Sequence, residues 1–513
     1  MPDKRFIAYS QHQDMLLPPN LDEMVPADSM ARIVSDVIDA LDTSALLELY
    51  PGGGRSAYHP VMLLKVITFA YASGIYSSRK IAAASRESVY FLWLSAQTPL
   101  DHNTINRFRS ERIAPIFEEI FSEVVLLLAQ NGHLDLDSYF LDGTKIEANA
   151  NKYSFTWKKS TERYRTRLRE QISDHLEEID RLNEEEDSLL GDKEPEDISS
   201  DDILEAARRI NERLKKNPKD KELKKTYKKI NDNWIPRLKK YEQQSEIYGK
   251  DRNSYSKTDT DATFMRMKDD HMRNGQLKAG YNVQIGTSNQ FILSYSLHNN
   301  RSDMGTLINH LDNFKNRFST LPKQICADAG YGSEENYQYL ESQDIKAFVK
   351  YPLFHKEQKK KFKTNPYRQE KFTHNKDRDS YTCPEGKELF FSHEDMRKTS
   401  TGHQAKSRVY ICSDCPYCDK RKLCVQRGGL RRSLYINNER LRHQNKARDL
   451  LLSEEGMKLR SQRPTEAESA FGNIKQNMGF RRFSLRGMQK VSLEWGWISL
   501  GHNMRKFHLA MGG

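Results

Sequence analysis

The chain has 513 residues, 37% of them hydrophobic and 30% charged, with a net charge of +11 and a pI near 9.1. That length exceeds one small core and predicts two to four domains, while the apolar content excludes a chain disordered throughout. With no apolar h-region in "MPDKRFIAYSQHQDM" and no bilayer-length apolar run, a soluble, cytoplasmic protein without membrane contact is expected; the positive excess points toward a polyanion such as nucleic acid.

Residues 30–132 carry apolar residues at helical spacing, and Pro60 and Ser77 mark helix starts. "PLDHNTINRFRSERI" predicts a short helix capped near Asp101, with Arg107, Arg109 and Arg112 on it. Two short helices joined by a turn make either a helix-turn-helix DNA reader or a plain bundle with a solvated basic face. The apolar run Tyr139–Leu141 then leads into Asp142 and Gly143. Residues 157–250 are charged and helix-forming, with a break at "GDKEPEDISSDD", and predict a protruding helical hairpin.

From about residue 275 the period changes to strands. "AGYNVQIGTSN" and "QFILSYSLHNN" predict adjacent strands, and "DMGTLINHLDNFKNRF" a helix capped by Ser302 or Asp303. "KQICADAGYGS" is a strand ending at Asp328, "SEENYQYLESQ" a helix and "IKAFVKYP" another strand. This order is that of a mixed α/β domain. After a basic, cysteine-rich stretch, "TEAESAFGNIKQNMGF" predicts a helix with Ala467, Ala470, Phe471, Ile474 and Met478 on one face. "EWGWISLGHNMRKFHLAM" closes the chain as an amphipathic helix.

Asp142 and Asp328 share a context, each following a short apolar strand and preceding a glycine. Each alone reads as a turn cap. Converged carboxylates on neighbouring strands repel unless a cation sits between them, and Mg²⁺ is the natural one. Glu466 and Glu468 both offer a third carboxylate; Glu468 shares its helix face with Lys475 and with Gly472, whose missing side chain would let another backbone approach. Five of six cysteines lie between Cys383 and Cys424. Cys383, Cys415, Cys418 and Cys424, with Cys412 as a substitute, suit one structural Zn²⁺; the alternative is a set of buried or free thiols. Basic residues around them (Lys359 to Lys361, Arg421, Lys422, Arg431, Arg432) suit either DNA contact or a solvated face.

The segments "YFLDGTKIEANANKY", "FMRMKDDHMRNGQLKAGYNVQIG", "CADAGYGS" and "EAESAFGNIKQNMGFRRFSLRG" resemble those of bacterial insertion-sequence DDE transposases of the insertion-sequence 1182 group. "HPVMLLKVITFAYASGIYSSRKI" and "TPLDHNTINRFR" resemble the helical domain preceding the catalytic domain in one branch of them. The resemblance runs from about residue 15 to the end and implies an α/β ribonuclease-H-like catalytic domain with helical and cysteine-rich insertions after an all-α domain. It implies boundaries at 1–132 (helical, DNA-binding), 133–156 (first catalytic strand), 157–255 (charged helical insertion), 256–352 (core), 353–460 (basic cysteine-rich insertion) and 461–513 (catalytic and closing helices).

Carried over residue by residue, the resemblance puts the triad on Asp142, Asp328 and Glu468, holding two Mg²⁺ (or Mn²⁺) ions. Lys475 matches the basic residue two helical turns past the glutamate. Some relatives carry an arginine four residues before that glutamate, where this chain has Pro464 and, one further back, Arg463. Lys475 and Arg463 would grip phosphates near the cut, and Arg481, Arg482 and Arg486, with Arg107 and Arg109, would contact DNA elsewhere. The implied activity is strand cleavage at an element's terminal repeats and transfer into target DNA, by a homo-oligomer on double-stranded DNA at the nucleoid. The rival readings are a catalytically silent DNA-binding relative and a nuclease that only hydrolyses.

Overall fold

A computed structural model of the chain describes residues 20–50, 57–182, 188–191, 193–249, 252–267, 276–399, 401–425 and 429–512. The quoted N-terminal stretch, Asp192 and residues 268–275 of the second resembling segment lie outside them. Eight strands come first: β1 (Ser138–Glu147), β2 (Phe155–Trp157), β3 (Ser254–Ser256), β4 (Thr263–Arg266), β5 (Leu277–Ser288), β6 (Phe291–His298), β7 (Gln324–Ala327) and β8 (Lys346–Val349). The main sheet runs β4-β5-β1-β7-β8, with β6 also paired to β5. β1 and β6 run antiparallel to β5, whereas β7 and β8 continue parallel to β1. This arrangement is compatible with a ribonuclease-H-like fold.

One apolar core joins the N-terminal helices, this sheet and the last helix, Met488–Ala510. That helix packs on both Pro60–Ala72 and β6. It was expected to be amphipathic, but nearly every residue from Val491 to Met504 is buried, Trp495 and Trp497 completely. A helix with no solvated face is a central strut, so the N-terminal helices are braced against the main sheet through it.

Local signals at helix starts hold. Pro60 opens its helix at the first position, where a missing N–H is harmless. Asp101 accepts the N–H of Thr104 at 2.9 Å and caps His102–Arg107. Ser302 and Asp303 do not cap the next predicted helix; Leu307–Phe318 starts after Thr306, which frees the Asp303 carboxylate for another use.

Arg109 corrects the expectation of a DNA-facing residue. It is 5% exposed, and its guanidinium donates to Tyr71 Oη (3.1 Å), the Tyr76 carbonyl and Asn106 Oδ1 (3.1 Å). Arg107, two residues earlier, is exposed. Arg109→Ala is expected to lower the melting temperature by several degrees and leave the salt dependence of DNA binding unchanged, because it strands buried acceptors. Arg107→Ala should leave melting unchanged; parallel melting and salt-titration series on the two variants check this.

The charged stretch after β2 is more than a hairpin. Lys158–Leu182, Ser200–Lys216, Lys221–Lys229 and Ile235–Tyr248 enclose a core of their own around Leu168, Ile172, Ile210 and Leu238. The cysteine-rich insertion forms a second, antiparallel sheet: β9 (Thr373–Asn375), β10 (Ser380–Thr382), β11 (Glu388–Lys398), β12 (Gln404–Ile411) and β13 (Ser433–Ile436), ordered β13-β12-β11-β10-β9. The next helix, Asn438–Leu452, packs on β8, and Glu454–Arg463 packs on β7. The expected insertion boundary at residue 460 therefore falls inside a helix of the core. Among the described residues no helix is long and apolar enough to cross a membrane.

Candidate active site

Strand register brings the two aspartates together. Leu141 pairs with Ala327 across the parallel β1–β7 ladder, so Asp142 and Asp328 are the next residue past that pair on each chain segment. Asp142 does not end its strand, as its sequence context suggested: β1 runs on to Glu147. Only β7 stops, and Asp328 leads a short turn, Ala329–Tyr331. Asp328 Oδ1 accepts the N–H of Gly330 at 2.8 Å. The turn-cap reading therefore holds for Asp328 through Oδ1, and Oδ2 is left facing Arg463 at 3.6 Å.

The third carboxylate comes from the helical run after β13. Arg463 donates to Asp142 Oδ1 at 2.9 Å and to Glu468 Oε1 at 3.2 Å, and stands 3.6 Å from Asp328 Oδ2. One guanidinium thus faces three carboxylates that belong to segments 186 and 140 residues apart (142 to 328, 328 to 468). Asp142 and Arg463 are 5% and 7% exposed. Burial alone would push the Arg463 pKa down; Asp142, then Asp328 and Glu468, more than offset that and hold it above its ordinary value.

The helix geometry explains why Arg463 reaches the glutamate from five residues away. Pro464 lacks an N–H and opens a π-helical turn, Pro464–Glu468. A π turn takes up one extra residue, so spacing of five there places side chains as spacing of four does in an α-helix. Glu466 points elsewhere: its Oε2 accepts the N–H of Gln290 at 2.7 Å, and burial raises its pKa. All five residues assigned to the inner face, Ala467, Ala470, Phe471, Ile474 and Met478, are buried.

Two expectations on that helix change. Among the described residues, no atom beyond its own helix lies within 4 Å of where a Cβ on Gly472 would stand, so the bare backbone one turn past Glu468 faces open space rather than a neighbouring backbone. Lys475 is 8% exposed, and its Nζ donates to Thr144 Oγ1 at 2.8 Å. In this structure it braces β1 two residues past Asp142 rather than reaching out toward solvent.

A polar group beside the triad escaped the sequence reading. Asp303 Oδ1 accepts from Asn282 Nδ2 (2.7 Å) and Gln284 Nε2 (3.2 Å), and Tyr331 Oη donates to Gln284 Oε1. A Cβ on Gly143 would stand 2.4 Å from Gln284 Nε2, so glycine after Asp142 is what lets this side chain cross β1. Burial, then Asp303, Asp142 and Asp328, push the Tyr331 pKa far up, which keeps it a donor. The available signal was polar Asn282 and Gln284 at alternate positions of an otherwise apolar strand.

Arg481, Arg482 and Arg486 are exposed, but each already holds backbone. Arg481 Nε donates to the Lys475 carbonyl (3.2 Å), Arg482 to those of Ala148 and Ala150 (3.2 Å each), and Arg486 to that of Asn149 (2.7 Å). Asn149 in turn donates to the Ser484 carbonyl at 2.7 Å. The segment following β1 is thereby laced to the segment following the helical run that carries Glu468.

Cys383, Cys412, Cys415, Cys418 and Cys424 line one small cavity, all as free thiols. Cys383 Sγ accepts the N–H of Lys387 and Cys415 Sγ that of Arg432, both at 3.3 Å. Burial pushes the Cys412 thiol up to about 11 and raises Cys424 as well. Among the described residues no group of three or more His, Cys, Asp or Glu is placed to hold a metal ion. Neither expected metal set is therefore a ready cage. For the carboxylates the cause is visible, since Arg463 fills the space that they share.

Three hard oxygen donors that already share one full positive charge are the donor chemistry a divalent cation requires. The family described as "Transposase DDE domain" matches residues 382–508, and "Transposase domain (DUF772)" matches residues 19–111. No curated protein matches, and no solved structure does. The first match includes Arg463, Glu468 and Lys475; the stretch carrying Asp142 and Asp328 lies outside both. The two matches support a DDE-type transposase, an enzyme acting on DNA.

Proposed function

We propose that this chain is an insertion-sequence DNA transposase of the insertion-sequence 1182 group, which cuts its element's ends and joins them to target DNA. The convergence of Asp142, Asp328 and Glu468 on Arg463 carries this reading. The three carboxylates would hold two divalent ions, Mg²⁺ or Mn²⁺; such ions make water a stronger nucleophile and stabilise the leaving oxygen of an in-line displacement.

The remaining roles belong to the chain. β1 and β7 fix two carboxylates side by side, and the π turn sets the third against them. Arg463 offsets part of their combined charge while they lack another cation, and its planar fork suits a phosphate once they acquire one. Thr144 holds Lys475 on the Asp142 face. Arg481, Arg482 and Arg486 have spare donors for backbone phosphates, as does exposed Arg107, and such contacts set register rather than sequence choice.

The bond balance is simple. Water attacks phosphorus, one P–O bond forms and one breaks, and a 3′-hydroxyl leaves. That hydroxyl then attacks a target phosphodiester and releases another 3′-hydroxyl, so the number of phosphodiester bonds is unchanged and no external energy is needed. A strand-transfer assay with Mg²⁺ and DNA bearing the element's ends tests the reading. Joined products are expected; nicks alone would indicate a nuclease, and binding without cutting a silent DNA-binding protein.

A further inference from the structure

The second sheet does not simply protrude from the core. Between the two lies a cavity of about 860 Å³. Its walls include Gly332 and Ser333, which follow Asp328 in the chain, and the loop after β6 that carries Arg301. Asn336 Nδ2 stitches these walls together, donating to the carbonyls of Met304 (2.9 Å) and Tyr331 (2.8 Å). The cavity wall therefore starts at Gly332, just past the turn that Asp328 leads, and Asp142, Asp328 and Glu468 lie outside its lining.

The charges around it are unequal in availability. Glu334 accepts from Asn437 at 2.6 Å and faces His403 at 3.6 Å, Glu335 accepts from Thr401, and Glu370 pairs with Arg368 at 3.3 Å. These carboxylates are occupied in docking the second sheet or in pairing within it. Arg301, Arg432 and Arg440 also line the cavity, from three different segments, and none has a carboxylate partner among the described residues. Among the described residues the Arg432 Nε–H is buried without an acceptor, and Arg432 stands between this cavity and the cysteine-lined one. An unpartnered buried guanidinium donor is costly unless a ligand satisfies it.

We infer that this cavity holds an unpaired stretch of DNA strand adjoining the scissile phosphate, with Arg301, Arg432 and Arg440 on its phosphates. The inference rests on the transposase reading for the identity of the strand. The volume is that of a small-ligand site, which suits a few nucleotides and not a duplex, whose major groove alone is about 12 Å wide. Cationic grooves that track a single backbone are the usual means of holding unpaired strands.

The test uses the full chain, a short fluorescein-labelled oligothymidylate, and a duplex of the same length. Wild type should bind the oligonucleotide with strong salt dependence. Arg301→Ala with Arg440→Ala should weaken that binding about tenfold or more and reduce the log–log salt slope by about 1.4, for two lost phosphate contacts on a single strand. Both residues are exposed, so melting should not change, and the double lysine variant should recover most of the affinity. Oligonucleotide binding that is indifferent to both arginines, or wild type that binds duplex only, overturns the inference.

Strand transfer separates this inference from the reading beneath it. Joined products with arginine-indifferent oligonucleotide binding overturn the cavity assignment alone. Arginine-dependent binding in a chain that joins no strands keeps the cavity and overturns the transposase reading.

Discussion

Glu468→Ala is expected to reduce strand cleavage by at least about 10³-fold, whereas Glu466→Ala should cut at close to the wild-type rate. Losing one ligand of a metal-assisted displacement forfeits several kcal/mol of transition-state stabilisation, and each 1.4 kcal/mol is about tenfold in rate. Asp142→Ala and Asp328→Ala should match Glu468→Ala, and all three should still bind DNA. Glu466 stands two residues away with a different task. It accepts the Gln290 N–H in the tight β5–β6 connection, where Asn289 and Gln290 both have positive φ, 49° and 67°. Non-glycine residues in that region are strained, and a carboxylate anchoring them offsets the cost. Glu466→Ala should therefore lose about 1–2 kcal/mol of stability, for a buried donor left unpaired. Single-turnover cleavage and thermal melting of the two variants give opposite patterns. If Glu466→Ala fails to cut while Glu468→Ala cuts, the third ligand has been misassigned.

Those two glutamates also mark where sequence stops being informative. Facing and period are local properties, so the buried face from Ala467 to Met478, the helix start at Pro60 and the cap at Asp101 could be read from composition and spacing. That Asp142 and Asp328 converge needed only one further premise, that their strands are neighbours. Three other features depend on contacts far along the chain. Arg463 looked one residue out of place because a 3.6-residue period cannot reveal a π turn. Glu147 and Asn149 carry no local sequence signal of their roles. In the fold Glu147 accepts from Lys278 at 2.8 Å, and its carbonyl takes the N–H of Phe483 at 2.9 Å, more than 300 residues away. Arg109 looked like one more basic surface residue; only the packing of Tyr71 and Tyr76 around it makes it internal.

Arg463→Ala should reveal how the site exists without metal. Asp142 is nearly inaccessible to water and takes a direct 2.9 Å contact from Arg463. Breaking a buried pair costs about 3–5 kcal/mol where nothing else compensates the remaining charge, and Asp142 keeps a further interaction, so the loss should lie at or below the low end of that range. Asp328 and Glu468 are half-exposed, so water screens their share and Asp142 dominates the loss. In EDTA the variant should melt several degrees below wild type. Mg²⁺ should then stabilise the variant more than it stabilises wild type, because in wild type an entering ion must first displace a guanidinium that already holds the same oxygens. Linkage makes that difference measurable as a larger rise in melting temperature at one Mg²⁺ concentration, and calorimetry should give a tighter binding constant for the variant. Arg463→Lys should fall between the two, since an ammonium is a single point charge and cannot bridge three carboxylates as a planar fork does. Wild-type melting of Arg463→Ala in EDTA would mean that the three contacts contribute nothing to the free protein, and unchanged Mg²⁺ affinity would mean that Arg463 does not compete for the ion's place. Both measurements are made without DNA, so they isolate the counter-ion role of Arg463 from any grip on phosphate.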